Sequence, residues 1–265
     1  MVDNLNAGEL LTIYADLRQA ARQMAEAGPQ PDFYRDFAVA VARSRRALEA
    51  SAYLGELAET IRSRSPGNLG HGLGHARQVA LDAGAVAAVE ADRAGCSSSE
   101  TTRLVLLAHC AGLLHDIARR APDHAVEGAR VAHRHLTRAG VLNGPDIDLV
   151  TFAIRHHEAF KPVPPSPSPA GHIVSGSLYD ADKFRWGPDN FTHTLWQMIE
   201  MAPPPLPRFV GYYPKAMAVI ADIKTTFRTR TGQAYGPQFI DMGLDIGNRL
   251  LTVVRSRYGY LLPLK

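Results

Sequence analysis

The sequence predicts an all-α protein, a helical bundle forming one compact domain. Three observations predict it. Apolar residues recur at spacings of three and four along nearly the whole chain. No period-two strand of useful length interrupts them. Glycine and proline punctuation, from Gly28-Pro29 to Ala202-Pro203-Pro204-Pro205, cuts the chain into helix-sized pieces. With 265 residues and 46% hydrophobic content, a sizeable core is available.

Residues 8–27 carry Leu10, Leu11, Ile13, Tyr14, Leu17 and Ala21 at helical spacing, and Gly28-Pro29-Gln30-Pro31 stops them. Residues 32–63 form a long helical pattern with room for a break, and 65–70 are a turn-rich interruption. A helix rich in alanine runs from His75 to Ala94, preceded by Gly72 and Gly74, which permit a close backbone approach or a sharp turn. Ser97-x-x-Glu100 reads as a capping box for the next helix, whose Leu104, Leu107, Ala111 and Leu114 share a face. Pro122-Asp123 and Asn143-Gly144-Pro145-Asp146 open two further helices, the second ending at His156-His157-Glu158. Residues 161–170 are an extended, proline-rich loop, a surface connection or a lid. Helical pattern resumes near Ile173 and continues, with a break at 202–207, in 191–201, 212–229 and 237–257. The expected organisation is an N-terminal helical extension (1–65), a core (66–200) and C-terminal helices (201–265) completing the same domain.

The net charge of +3 is dispersed and gives no strong nucleic-acid signal. Cys96 and Cys110 read as free thiols of a reducing compartment. The N-terminus shows no basic region followed by an apolar run, and no stretch of 18 apolar residues suggests a membrane span. A cytoplasmic protein is the expectation. The eleven histidines all fall between His71 and His193, which is a concentration.

That concentration surrounds Leu113-Leu114-His115-Asp116. An unpaired carboxylate at the inner end of a buried helix is costly, so Asp116 needs a metal ion, an arginine or a hydrogen-bond cluster beside it. Ligand-type residues recur by segment: His75, His115-Asp116, His124, His156-His157, and Asp180 or Asp182. Imidazole and carboxylate together suit Fe, Mn, Zn, Co or Ni. Inward-facing helices can gather such a set for one or two ions.

The ordered pattern resembles the HD-domain metal-dependent phosphohydrolase superfamily over roughly residues 68–190. Gly74-His75-Ala76-Arg77-Gln78-Val79 is similar to that family's first helix, His115-Asp116 to its naming pair, and Asp182-Lys183 to its terminal aspartate motif. The resemblance implies an HD-domain helical bundle with extra N- and C-terminal helices. It implies His75, His115, Asp116 and Asp182 as metal ligands, with Asp180 a neighbour. His124, His156 and His157 match the additional histidines of the binuclear branches. No Gly-Tyr-Pro motif follows Glu158, where Ala159-Phe160-Lys161-Pro162 stands instead.

The implied activity is hydrolysis of a phosphomonoester or phosphodiester by a metal-bound hydroxide, with Asp116 bridging or anchoring the metals. Lys183 and Arg119 would neutralise developing charge. His71, Lys183, Arg119, Lys224 and Arg228 are the candidate substrate contacts. The implied partner is a small phosphorylated substrate, with room for one of nucleotide size. A homodimer through residues 8–63 is a further expectation. Two rival readings share the scaffold: a di-iron oxygenase, and a non-catalytic metal- or nucleotide-binding regulator.

Overall fold

Helices form where the apolar spacing places them. The structure, a computed structural model, describes residues 6–64 and 72–263. Helix α1 (Ala7–Glu26) opens on a capping box that links Asn6 and Glu9 reciprocally at 3.0 and 2.8 Å. The 32–63 pattern resolves into α2 (Asp32–Asp36), α3 (Ala38–Ala50) and α4 (Ala52–Arg64), broken at Phe37 and Ser51. His71 and the turn at 65–70 lie outside the described residues.

Helix α5 (Leu73–Arg93) starts on an extended Gly72. A Cβ at Gly72 or at Gly74 would meet no described residue within 4 Å, so of the close approach and the sharp turn offered there the first is not made among the described residues. Before α6 (Ser98–Leu114), Ser97 Oγ accepts from Glu100 N at 3.3 Å, one half of the expected capping box. Helix α7 (His124–Ala139) stops at Gly140, whose φ of 66° is the left-handed conformation of a helix C-terminus. Asn143 caps α8 (Gly144–Arg155), and Ser168 caps α9 (Pro169–Phe184).

A π-helical turn (Asn190–Thr194) leads into α10 (Leu195–Met201), followed by α11 (Leu206–Asp222) and α12 (Arg230–Tyr258). The last two helices depart from the expected 212–229 and 237–257. Helix α11 starts six residues earlier because Pro207 sits in its first turn, where a missing N–H costs nothing. Helix α12 starts at Arg230, with Thr229 capping Gly232 N, and runs through Pro237. Burial of Thr231, Gly232 and Gly236 holds the turns ahead of that proline. No strand occurs among the described residues.

Two apolar cores flank a pair of central helices. The first gathers residues of α4 to α9, including Leu107, Leu114, Val150 and Leu178. The second gathers α1, α2 and α10 to α12, with Leu17, Phe33, Trp196, Phe239 and Leu250. Helix α5 is buried on nearly every side over 79–87, and α9 is buried without a break over 173–184. A helix buried all round belongs in the interior. Phe184, at the end of α9, stacks on Phe239 of α12 with centroids 4.1 Å apart. The N-terminal helices divide between the cores, α4 joining the first and α1 the second.

Candidate metal centre

Five helix ends meet between the central helices. His75 lies in the first turn of α5, and Asp182 in the last turn of α9. His115 caps the C-terminus of α6, and Asp116 follows it in a run of turns. His124 is the first residue of α7, and His157 lies just past α8. His115, Asp116, His157 and Asp182 are all buried.

Gly112 makes the central approach possible. A Cβ there would stand 2.4 Å from Ala80 Cα, so α6 packs this closely on α5 only with glycine. The Gly112 carbonyl in turn accepts from His115 Nδ1 at 2.8 Å, and the Ile154 carbonyl accepts from His157 Nδ1 at 2.6 Å. A carbonyl only accepts, so both rings carry hydrogen on Nδ1. Their neutral forms present Nε2 as a lone pair.

Those lone pairs face the carboxylates. His75 Nε2 is 3.3 Å from His115 Nε2 and 3.4 Å from Asp182 Oδ1. His115 Nε2 is 3.4 Å from Asp116 Oδ2, and His157 Nε2 is 3.6 Å from Asp116 Oδ1. Two donors each about 2.1 Å from one ion lie roughly 3.0–3.4 Å apart at octahedral or tetrahedral angles. The spacing and the mixed N/O donor chemistry fit a divalent transition metal. Two groups satisfy the fit: His75, His115 and Asp182, and His115, Asp116 and His157. The two oxygens of Asp116 face different imidazoles.

Electrostatics support the same arrangement. Burial would raise the Asp182 carboxyl, but the Lys183 ammonium and the imidazoles of His75 and His115 outweigh it and hold it well below the usual range. Burial opposes charge on His115 as well, and Asp116 and Asp182 overcome it, raising its pKa. His124 is pushed down, by burial first.

The remaining candidates divide. His124 Nε2 comes within 3.7 Å of Asp116 Oδ1 but already accepts from Arg119 Nη1 at 3.0 Å. His156 does not join the cluster. As the C-cap of α8 it turns its ring onto Phe152, centroids 4.7 Å apart, because neighbouring side chains at a helix end diverge. Lys183 is buried, bonded to Asp182 and set over the rings of Tyr179 and Trp186, so it positions the carboxylate instead of facing open space. Lys224 pairs with Asp241 on α12. Arg228 lies 3.5 Å above the Tyr179 ring and donates to the His156 carbonyl. Asp180 accepts from the backbone of Arg228 and Thr229 and from the Thr229 hydroxyl, which anchors the start of α12.

A cavity of about 930 Å³ opens beside the cluster, with His75, Asp182 and Arg119 on its wall. Its remaining lining comes largely from the π-helical turn, α10, Pro203–Pro205 and α11. None of the residues of the 161–168 loop lines it, so the second proline run borders this cavity and the first does not. Sequence reasoning also missed a buried network in which Arg185 bonds Asp82, Tyr34 and Asp189. Arg185 itself is buried in that network. Burial opposes its charge, and the oxygens of Tyr34, Asp82 and Asp189 outweigh that, raising its pKa. An aspartate at position 82, within an otherwise alanine-rich helix, was the available signal.

Residues 72–185 match the family model of the HD domain. These residues, α5 to α9, form an all-helical HD domain within the chain. Most HD domains are metal-dependent hydrolases. Comparison with curated proteins and with solved structures finds no match. No helix among the described residues is long and apolar enough to cross a membrane.

Proposed function

We propose that the chain is a metal-dependent hydrolase of phosphate esters. One observation carries the reading: backbone-locked imidazoles and two buried carboxylates converge where Arg119 reaches a cavity. His75, His115, Asp116 and Asp182 would hold a first ion, and Asp116 and His157 a second, which His124 would join on release from Arg119. Bound there, Fe, Mn, Zn, Co or Ni would polarise a phosphoryl oxygen and lower the pKa of water. Asp116 suits a shared ligand because its two oxygens face different imidazoles. Arg119 supplies positive charge beside the cavity, where phosphoryl oxygens would gather. Lys183 keeps Asp182 ionised and fixed. The free thiols of Cys96 and Cys110 fit a cytoplasmic setting.

The test is metal analysis of the purified protein, then chelation, reloading with single metals, and a phosphate-ester screen. Metal-dependent phosphate release that persists without dioxygen supports the hydrolase. Product formation that requires dioxygen and iron replaces it with the oxygenase. Stoichiometric metal with no turnover of any ester replaces it with a regulator.

A further inference from the structure

The cavity beside the metal cluster has a composition that a nucleotide does not need. Its charged groups are His75, Asp182, Arg119, Arg185 and Arg208, and Asp182 is the one acid among them. Arg185 is already spent on Asp82 and Asp189. The cluster and Arg119 meet at one part of the wall, and beyond them the lining is mostly apolar. Phe191, Leu195, Ile199, Phe209, Met217 and Ile220 come from three successive elements. The neutral polar groups are few, and the Tyr213 hydroxyl is committed to the Gly247 carbonyl at 2.8 Å. A nucleobase presents several donors and acceptors, and burying them unpaired is costly. An alkyl or prenyl chain presents none. The volume lies at the upper end for small-ligand pockets, well above what a phosphate group alone fills. Met198, Tyr212 and Val219 are 43, 61 and 37% exposed, which marks where the cavity opens to solvent.

We propose that the substrate is an amphiphile, a phosphate monoester of a long apolar alcohol, with its phosphate at Arg119 and the metal cluster and its chain along α10 and α11. This rests on the hydrolase reading above. In the reaction, the oxygen of water joins phosphorus and the P–O bond to the alcohol breaks. The alcohol leaves with a proton from that water, and inorganic phosphate remains. Binding energy then comes from the chain and charge recognition from the head.

The experiment uses the metal-loaded full chain and monomeric methyl, butyl and octyl phosphate, with adenosine monophosphate as the nucleotide. Full burial of one methylene is worth roughly fourfold in affinity. The expected result is a rise in kcat/KM of at least about a hundredfold from methyl to octyl phosphate, with octyl phosphate ahead of the nucleotide. Ala216→Trp, which fills the cavity, and Met198→Arg, which charges its mouth, should each lower the octyl-to-methyl ratio about tenfold or more. Met198 is largely exposed, so its variant keeps the test open if the tryptophan variant does not fold. Phosphatidic acid in phosphatidylcholine vesicles forms a parallel arm; cleavage there assigns a bilayer lipid, cleavage of octyl phosphate alone a free amphiphile, and either supports the class. A flat series, or faster turnover of the nucleotide, overturns the proposal while leaving the hydrolase intact. If no ester is cleaved, the hydrolase reading fails, and calorimetry decides the ligand class. Octyl phosphate binding tenfold tighter than inorganic phosphate supports the amphiphile, and equal binding overturns it.

Discussion

His115 shows how the backbone orients one candidate metal ligand. Its Nδ1 hydrogen is taken by the Gly112 carbonyl, and its other nitrogen is left facing Asp116 and Asp182. Replacing His115 or Asp182 by alanine should remove most bound metal and lower kcat/KM at least about a hundredfold, since ligand loss opens the coordination sphere. Metal analysis after gel filtration checks this. The same nitrogen binds a proton, and the neighbouring carboxylates raise its pKa above the ordinary histidine value despite burial. Metal uptake should therefore weaken as pH falls from neutral, which a titration with a competing chelator measures. His109 behaves in the opposite sense. Burial depresses its pKa to about 4, and its Nε2 donates to Ser44, whose own hydrogen goes to the Leu81 carbonyl. The neutral ring is the stable one in the folded chain. Its contribution is fully present above about pH 6.5 and is lost as pH falls toward 4, by up to about 3 kcal/mol. Denaturant midpoints between pH 5 and 7.5 should vary less in His109→Gln than in the parent protein.

At the scale of the element, the spacing of α5 and α6 decides whether the pair His115-Asp116 reaches its partners. Gly112→Ala would drive a methyl group into the backbone of Ala80. Overpacking of this kind costs about 1–3 kcal/mol, and here it also displaces the carbonyl that orients His115. Chemical denaturation and metal content should fall together. Gly74→Ala, one residue from a ligand but in open space, should raise stability by up to about 1 kcal/mol, as alanine suits a helix better. Both glycines sit among ligand motifs, and the close helix contact falls at Gly112, which the sequence pattern does not mark. Periodicity marks which residues are apolar, whereas the distance between two helix axes is set by the residues that face each other across them. The late helices teach a related point. In the sequence pattern proline breaks the chain at 202–207 and opens a helix at 237, yet α11 begins within the first run and α12 passes through Pro237. First-turn placement removes the penalty in one case, and burial outweighs it in the other.

Across the whole molecule, the two cores are joined by charge as well as by packing. Arg185 at the end of α9 bonds Asp82 of α5 and Tyr34 of α2, which fixes the helix that carries Asp182 against the helix that carries His75. Removing one member leaves a buried charge. Asp82→Ala should cost about 3–5 kcal/mol, and Asp82→Asn combined with Arg185→Met should cost less than the sum of the single changes. Thermal unfolding of the four proteins in that cycle measures the coupling. Metal affinity should fall in the single variants, because the ligand-bearing helices share this tie.

Legible in the sequence were the helical class, the order of the segments, four residues of the cluster, His75, His115, Asp116 and Asp182, and the pair His156-His157 without a choice between its members. Their legibility has a physical cause: metal ligands are restricted to few residue types, and burial imposes a helical period around them. The HD domain was legible for the same reason. Only the tertiary structure decided between His156 and His157, because one step along a helix end separates a ring on Phe152 from a ring on Asp116. It also turned Lys183 from a substrate contact into a support for Asp182, and of the cations expected to meet substrate it set Arg119 on the cavity wall. The cavity itself was illegible. Its apolar wall is assembled from segments after residue 190, each of which reads as ordinary core until the fold leaves them facing an opening beside the metal cluster.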